Sequence, residues 1–226
     1  MWVLVGGSTL ESYIKFLNNY SDKFLQYIAN QFELIILVTV ISLILWVPLG
    51  IFLVRHRKYA QKVMTVANFI YCTPSLALFV IFMSIPFLGI GRTSALVAMV
   101  LYSMMPLVRN VYVGISGVDK TVIEAAKGMG LNKNQILKKV QLPLAMPVMF
   151  AGFRTTVIMT TGMSTIAVFI GEKNLGQFIF DGMNRHYMEM LIVGSVSLCI
   201  ISLVMDYILA FCEKKMVPKG LRVGRN

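Results

Sequence analysis

Charge is scarce in this chain of 226 residues: 14% are charged against 57% hydrophobic. That balance excludes a soluble domain of this size and predicts an all-α integral membrane protein. Acidic residues are scarcer than basic ones, 10 against 21, for a formal net charge of +11. Such an excess suits nucleic acid, an anionic membrane surface or the loop bias of a polytopic protein, and its distribution decides between them. Residues 55–62 carry four basic and no acidic residues, 109–139 six and two, and 213–226 five and one. The alternating segments 1–33, 86–93 and 172–189 together carry five basic and six acidic. The first set is assigned to the cytoplasm and the second to the outside, with no role left for nucleic acid.

Cysteine and histidine are scarce too. Cys72, Cys199 and Cys212 lie within or at the ends of apolar runs without a CxxC pair, so they are read as packing residues, with neither disulfide nor metal. The two histidines, His56 and His186, fall on opposite sides of the membrane in this assignment. No G-x-S-x-G or H-E-x-x-H occurs, and the glycine clusters at 6–7, 89–91 and 128–130 do not fit G-x-x-x-x-G-K-[ST]. The chain is expected to be no enzyme and to hold no cofactor. Sixteen scattered methionines read as flexible filling for a moving helix bundle.

Five spans follow from the charge-free runs. Residues 1–31 lack a basic leader, and the helical spacing of Leu10, Tyr13, Ile14, Leu17, Phe24 and Ile28 predicts an amphipathic helix lying on the outer membrane face. Residues 34–54 form the first span, long enough for about 30 Å of helix. The basic group that follows puts its far end in the cytoplasm and the N-terminus outside. The second span, 63–91, contains Thr73-Pro74-Ser75, a predicted break in mid-membrane that makes Pro74 and Ser75 pathway candidates. After a turn at Gly89, Gly91 and Arg92, the third span, 93–115, carries Pro106 and the gate candidate Arg109. The fourth, 144–170, carries Arg154, and the fifth, 187–211, carries Asp206. Counted along the helices, these two lie at about 15 and 10 Å from the inner surface. An unpaired charge at such depth is costly, so Arg154 and Asp206 are expected to pair. Between these spans, 171–186 reads as an outer loop with a short helix. The chain is read as one domain, 1–226: an outer segment 1–31, a helix bundle 32–211 with a cytoplasmic loop 117–143, and a basic cytoplasmic tail 212–226.

The loop is the polar, helix-forming insert in this apolar chain. Asp119 caps a helix whose apolar positions are Val122, Ala125, Ala126 and Met129; Thr121 with Glu124 offers an alternative start. Gly128 and Gly130 end it. Asn132 with Gln135 opens a second helix, which Pro143 is expected to end at Leu142. Ala125 and Ala126 are small enough to bring the helix backbone close to a partner surface.

The run Glu124-Ala125-Ala126, with Gly130 and then Leu142-Pro143, resembles the EAA motif of permease subunits of binding-protein-dependent ABC importers. Val140 replaces the isoleucine usual there. The resemblance, which covers the chain from about residue 30 onward, implies a coupling role for Asp119, Glu124, Ala125, Ala126, Gly130, Leu142 and Pro143. It implies two copies of a cytoplasmic ATPase that hold ATP and Mg, a second permease subunit of the same or a paralogous chain, and an extracellular solute-binding protein. It also implies a bacterial cytoplasmic-membrane location among lipids. Residues 73–78, 88–91, 106–110, 151–155, 170–171, 175–176 and 213–218 are similar to the osmoprotectant subgroup, which carries glycine betaine, carnitine and choline. Glu172-Lys173-Asn174 departs from that subgroup's glycines and bears on docking of the binding protein. Tyr71, Tyr102 and Phe79 are aromatic candidates to meet a quaternary ammonium in passage, with packing the plainer role; no substrate ligand is assigned. Amino acids such as methionine are the alternative cargo, and an ion-coupled secondary transporter is the alternative from another class.

Overall fold

A computed structural model describes residues 10–216. In chain order the helices are α1 Leu10–Arg55, α2 Arg57–Cys72, α3 Ser75–Met83, α4 Arg92–Tyr102, α5 Met104–Ser116, α6 Lys120–Gly128 and α7 Lys133–Ile136. A π-helical turn, Leu137–Gln141, leads into α8 Leu142–Ile166, which closes in a 3-10 turn, Ala167–Ile170; α9 Gly176–Arg185 and α10 Met188–Met216 follow. No strand occurs among the described residues. Four helical runs are long and apolar enough to cross a membrane, and there are five if the bent pair α2 and α3 is counted as one span. The expectation of an all-helical membrane protein with about five spans therefore agrees with the four to five found.

The described residues divide into two compact units. The first comprises 10–38, 74–99 and 160–204; the second comprises 39–73, 100–159 and 205–216.

In the first unit, Phe16, Leu175, Phe178, Met190 and Leu198 are buried together, flanked by Tyr20, Phe24, Tyr27, Ile28 and Tyr187. Phe16 stacks on Tyr20 at 4.8 Å between centroids and meets Phe178 edge-on at 5.8 Å, geometries that aromatic quadrupoles favour. This corrects the reading of the segment up to residue 31. It is helical from Leu10, but the side with Phe16, Tyr20, Phe24, Tyr27 and Ile28 packs on α9 and α10 while Ile14, Leu17 and Leu25 stay exposed, and α1 continues unbroken to Arg55. At 46 residues the helix is roughly 70 Å long, over twice a bilayer core, so a protein-covered extension has to exist. Residues 1–9 and 217–226, hence most of the basic tail, lie outside the described residues.

The segment after the 3-10 turn is held by buried polar groups. Gly171 takes φ +91°, a left-handed conformation that suits glycine. Asn174 donates from Nδ2 to the Ser164 carbonyl at 2.7 Å and accepts the Gly176 N–H at 2.8 Å, while Gln31 donates to the Ser164 hydroxyl. Asn30 Nδ2 donates to the Lys173 carbonyl at 2.8 Å. Glu172 is 4% exposed. Its burial pushes the carboxyl up, the neighbouring Arg92 guanidinium opposes this, and the Glu33 carboxylate adds to it; Arg92 itself pairs with Glu33 at 2.9 Å. An acid whose pKa is raised on folding carries no penalty while protonated, and it destabilises the fold as pH rises through the raised value. Glu172→Gln is therefore expected to raise the thermal midpoint near neutral pH and to have little effect near pH 4.5, the ordinary glutamate value. Equal shifts at both pH values would contradict this account.

In the second unit, Ala60 and Ala67 of α2 allow close packing on Met104 and Val108 of α5, with Leu53 of α1 completing the cluster. Gly50 and Gly152 mark backbone contacts too close for a side chain: a Cβ would lie 2.7 Å from Val111 and 2.5 Å from Asn110 respectively. Trp46 Nε1 donates to the Val100 carbonyl at 2.8 Å. Ser103, at the interruption between α4 and α5, donates to the Ser42 hydroxyl at 2.6 Å. Cys72 and Cys199 are exposed, not packed, and Cys212 is half-buried.

Candidate functional site: a two-helix loop and a half-buried charge cluster

The loop between α5 and α8 is built largely by local chemistry. The Asp119 carboxylate accepts the Thr121 N–H and hydroxyl, both at 2.8 Å, and so caps α6. These hydrogen bonds hold its carboxyl below the usual range. The Asp119 start, not the Thr121 alternative, is the one used. At the other end Leu131 N–H donates to the Ala126 carbonyl at 3.2 Å and Gly130 N–H to the Lys127 carbonyl at 2.9 Å. That is a Schellman closure with Gly130 at its left-handed position, φ +80°. The fixed spacing from Ala126 to Gly130 thus has a geometric cause. Asn132 and Gln135 exchange reciprocal side-chain to backbone hydrogen bonds at 2.9 and 2.8 Å, opening α7 as expected.

Two expectations for the loop are corrected. Pro143 does not end the helix at Leu142: Leu142 is itself helical, φ −60° and ψ −48°, and the helical run continues from Lys133 to Ile170. The π-turn explains this. Leu142 N–H donates to the Leu137 carbonyl, five residues back, and the widened turn makes room for a ring that an α-helical carbonyl would meet. Pro143 is exposed in the first turn of α8, where its missing N–H costs least, while Leu142 packs against Val111, Ile115, Leu137 and Ala145. The second correction concerns the alanines. Ala126 is 1% exposed within this chain, whereas Glu124, Ala125, Val122 and Met129 are exposed. Ala126 is small because α6 lies close to α7 and the π-turn. The face left free carries Val122, Ala125 and Met129.

The loop is tied to the rest of its unit by Arg55, whose Nη2 donates to Asn134 Oδ1 at 2.7 Å, and by Gln141, whose Nε2 donates to the Ile115 carbonyl at 3.4 Å. A groove of about 480 Å³ beside it is lined by Arg55, Arg57, Lys127 and Lys133 with no carboxylate.

Arg154 and Asp206 meet as expected, and in a forked geometry. Arg154 Nε and Nη2 donate to the two Asp206 carboxylate oxygens at 2.6 and 2.8 Å. Nη1 donates to Glu213 Oε2 at 3.1 Å, a partner that sequence reasoning missed. Two planar hydrogen bonds to one carboxylate give direction as well as energy. Pro74 and Ser75 belong to the first unit, where Pro74 caps α3 with φ −53° and ψ 130° and Ser75 begins the helix. The break between α2 and α3 is thus where it was expected. Phe79 is fully buried and serves packing. Tyr71 and Tyr102 pair at 5.0 Å between centroids.

Long apolar helices, an interrupted span and a capped two-helix loop that presents an apolar face define a polytopic membrane transport component. The chain belongs to the family of binding-protein-dependent transport system inner membrane components, which it matches over residues 46–218. It is 38% identical over 209 residues to a choline transport system permease protein, OpuBB, of Bacillus subtilis (strain 168), covering 92% of this chain and 95% of that protein. It is 39% identical over 207 residues to a glycine betaine/carnitine/choline transport system permease protein, OpuCB, of the same organism, covering 92% and 94%. An osmoprotectant import permease protein, OsmW, of Salmonella typhimurium is 35% identical over 84% of this chain and 89% of its own length. The fold is that of a chain of the MetNI methionine ABC transporter in an inward-facing crystal form: TM-score 0.79 at 19% identity, covering 88% of this chain and 99% of that one. The family is one of transporter permease subunits located in the inner membrane, not of enzymes.

Proposed function

We propose that this chain is a translocating subunit of an ATP-driven importer of small quaternary ammonium osmoprotectants: glycine betaine, carnitine and choline. The observation that carries the reading is its likeness, over nine-tenths of its length, to permeases of choline and of glycine betaine/carnitine/choline transport. Cargo is delivered by an extracellular binding protein. Energy comes from two ATPase subunits that hold ATP and Mg, and a second permease subunit completes the pathway. The N-terminus is outside and α6 is cytoplasmic, in keeping with the basic residues around the loop. The coupling residues are Asp119, Glu124, Ala125, Ala126, Gly130, Leu142 and Pro143. Ala125 with Val122 and Met129 touches the ATPase, while Asp119, Ala126, Gly130, Leu142 and Pro143 give the loop its shape. Pro74, Ser75, Arg109, Arg154 and Asp206 serve the pathway or its switching. ATP-driven closure moves α6 as a rigid body and switches access across the membrane.

The test is uptake of labelled glycine betaine by salt-stressed cells with and without this gene, with unlabelled carnitine, choline and methionine as competitors. Loss of saturable uptake on deletion, with competition by the quaternary amines alone, is the expected result. Competition by methionine alone would favour the second reading, an amino-acid permease, which the shared fold with a methionine transporter supports. Unchanged uptake in a strain without another betaine transporter would overturn the cargo assignment.

A further inference from the structure

Arg92 pairs with Glu33, and Arg154 with Asp206 and Glu213. Arg109, in the body of α5, forms no ion pair or hydrogen bond among the described residues, although it lies in the membrane-crossing run Arg92–Ser116. Arg109 is exposed on α5, so its charge is open to a partner from outside the chain. Arg109 lines a cavity of about 390 Å³ with Asn68, Tyr71, Met105, Pro106, Asn110 and Val113, and no carboxylate is among them. The cavity wall is fixed in place. Asn110 Nδ2 donates to the Pro106 carbonyl at 2.7 Å, and the Asn110 Cβ is packed so closely on Gly152 that any side chain there would displace it. Tyr71 is held by Tyr102 on one side and directs its hydroxyl to Met159 Sδ at 3.7 Å.

We propose that this cavity is a transit subsite for a zwitterion. Arg109 donates a charge-assisted pair of hydrogen bonds to the cargo carboxylate, and the Tyr71 ring faces its quaternary ammonium. The subsite rests on the osmoprotectant reading and adds a specificity to it: it distinguishes cargo with a carboxylate, such as glycine betaine and carnitine, from choline, which has none. An anionic lipid headgroup offers the same chemistry to Arg109, so the test separates the two sources.

The importer, reconstituted with its ATPase and binding protein in neutral or in anionic liposomes, is assayed for uptake of glycine betaine, carnitine and choline. Arg109→Gln and Arg109→Lys are each compared with wild type on the same cargo at equal membrane level, so that selectivity of the binding protein cancels. Loss of a charge-assisted pair corresponds to about tenfold or more. The expected result is therefore at least about a tenfold fall for betaine and carnitine in Arg109→Gln, little change for choline, and an intermediate value for Arg109→Lys. An equal loss on all three cargoes, or no loss, overturns the subsite, and a loss that depends on the anionic lipid identifies a headgroup instead. If wild type imports none of the three cargoes, the osmoprotectant reading fails, and the subsite fails with it.

Discussion

Arg154→Glu is expected to lower the amount of folded protein in the membrane several-fold. The substitution replaces a forked pair, with contacts at 2.6 and 2.8 Å, and a third contact at 3.1 Å by three carboxylates in one place. Removing one partner of a fully buried pair costs about 3–5 kcal/mol. These side chains retain about a third of their exposure, so the loss falls between the surface and the buried limits. Against a total stability of about 5–15 kcal/mol, that is enough to change abundance. Membrane level and thermal inactivation of a tagged chain provide the measurement. Exchanging both charges, Arg154→Asp with Asp206→Arg, is expected to recover more than either single reversal. A double variant no better than the singles would show that the pair does not matter as a pair.

The second large effect is expected on the free face of α6. Val122→Asp with Met129→Asp places two carboxylates on positions that are 40% and 73% exposed, so the chain itself is expected to fold and reach the membrane at its normal level. If this face docks the ATPase, burying two unpaired charges there weakens assembly by several kcal/mol. ATP-driven uptake then falls more than about tenfold, and the ATPase no longer co-purifies. Ala126→Trp acts differently: it overfills a buried position, costing about 1–3 kcal/mol and displacing α6 from its seat. Full uptake by the Val122→Asp, Met129→Asp variant would remove α6 from the coupling assignment.

What could be read from the sequence was local. The Asp119 cap, the Gly130 closure and the Asn132–Gln135 box each depend on a few adjacent residues, so residue type and spacing suffice to place them. The Arg154–Asp206 contact is long-range, yet it was legible because two costly charges at matching depth leave few alternatives. Glu213 was missed because it stands at the end of a span, where a carboxylate normally faces water. The side on which Ala126 lies was not legible, since the spacing of Val122, Ala125, Ala126 and Met129 marks one broad face and only the packing of α7 and the π-turn splits it. Pro143 misled for a related reason: the rule that proline ends the preceding helix assumes an α-helical turn, and the turn here is wider. The polar residues among 11–33 suggested a surface helix, because nothing local reveals that α9 and α10 cover its Phe16, Tyr20, Phe24 side.

The central claim, an ATP-driven permease that depends on partner subunits, is tested most directly in proteoliposomes. The chain would be reconstituted with and without its ATPase, and uptake of labelled glycine betaine measured in the presence of the binding protein, with MgATP or with an imposed ion gradient. The account predicts uptake only when the ATPase, the binding protein and MgATP are all present. Uptake by the chain alone, driven by an ion gradient without ATPase or nucleotide, would contradict it.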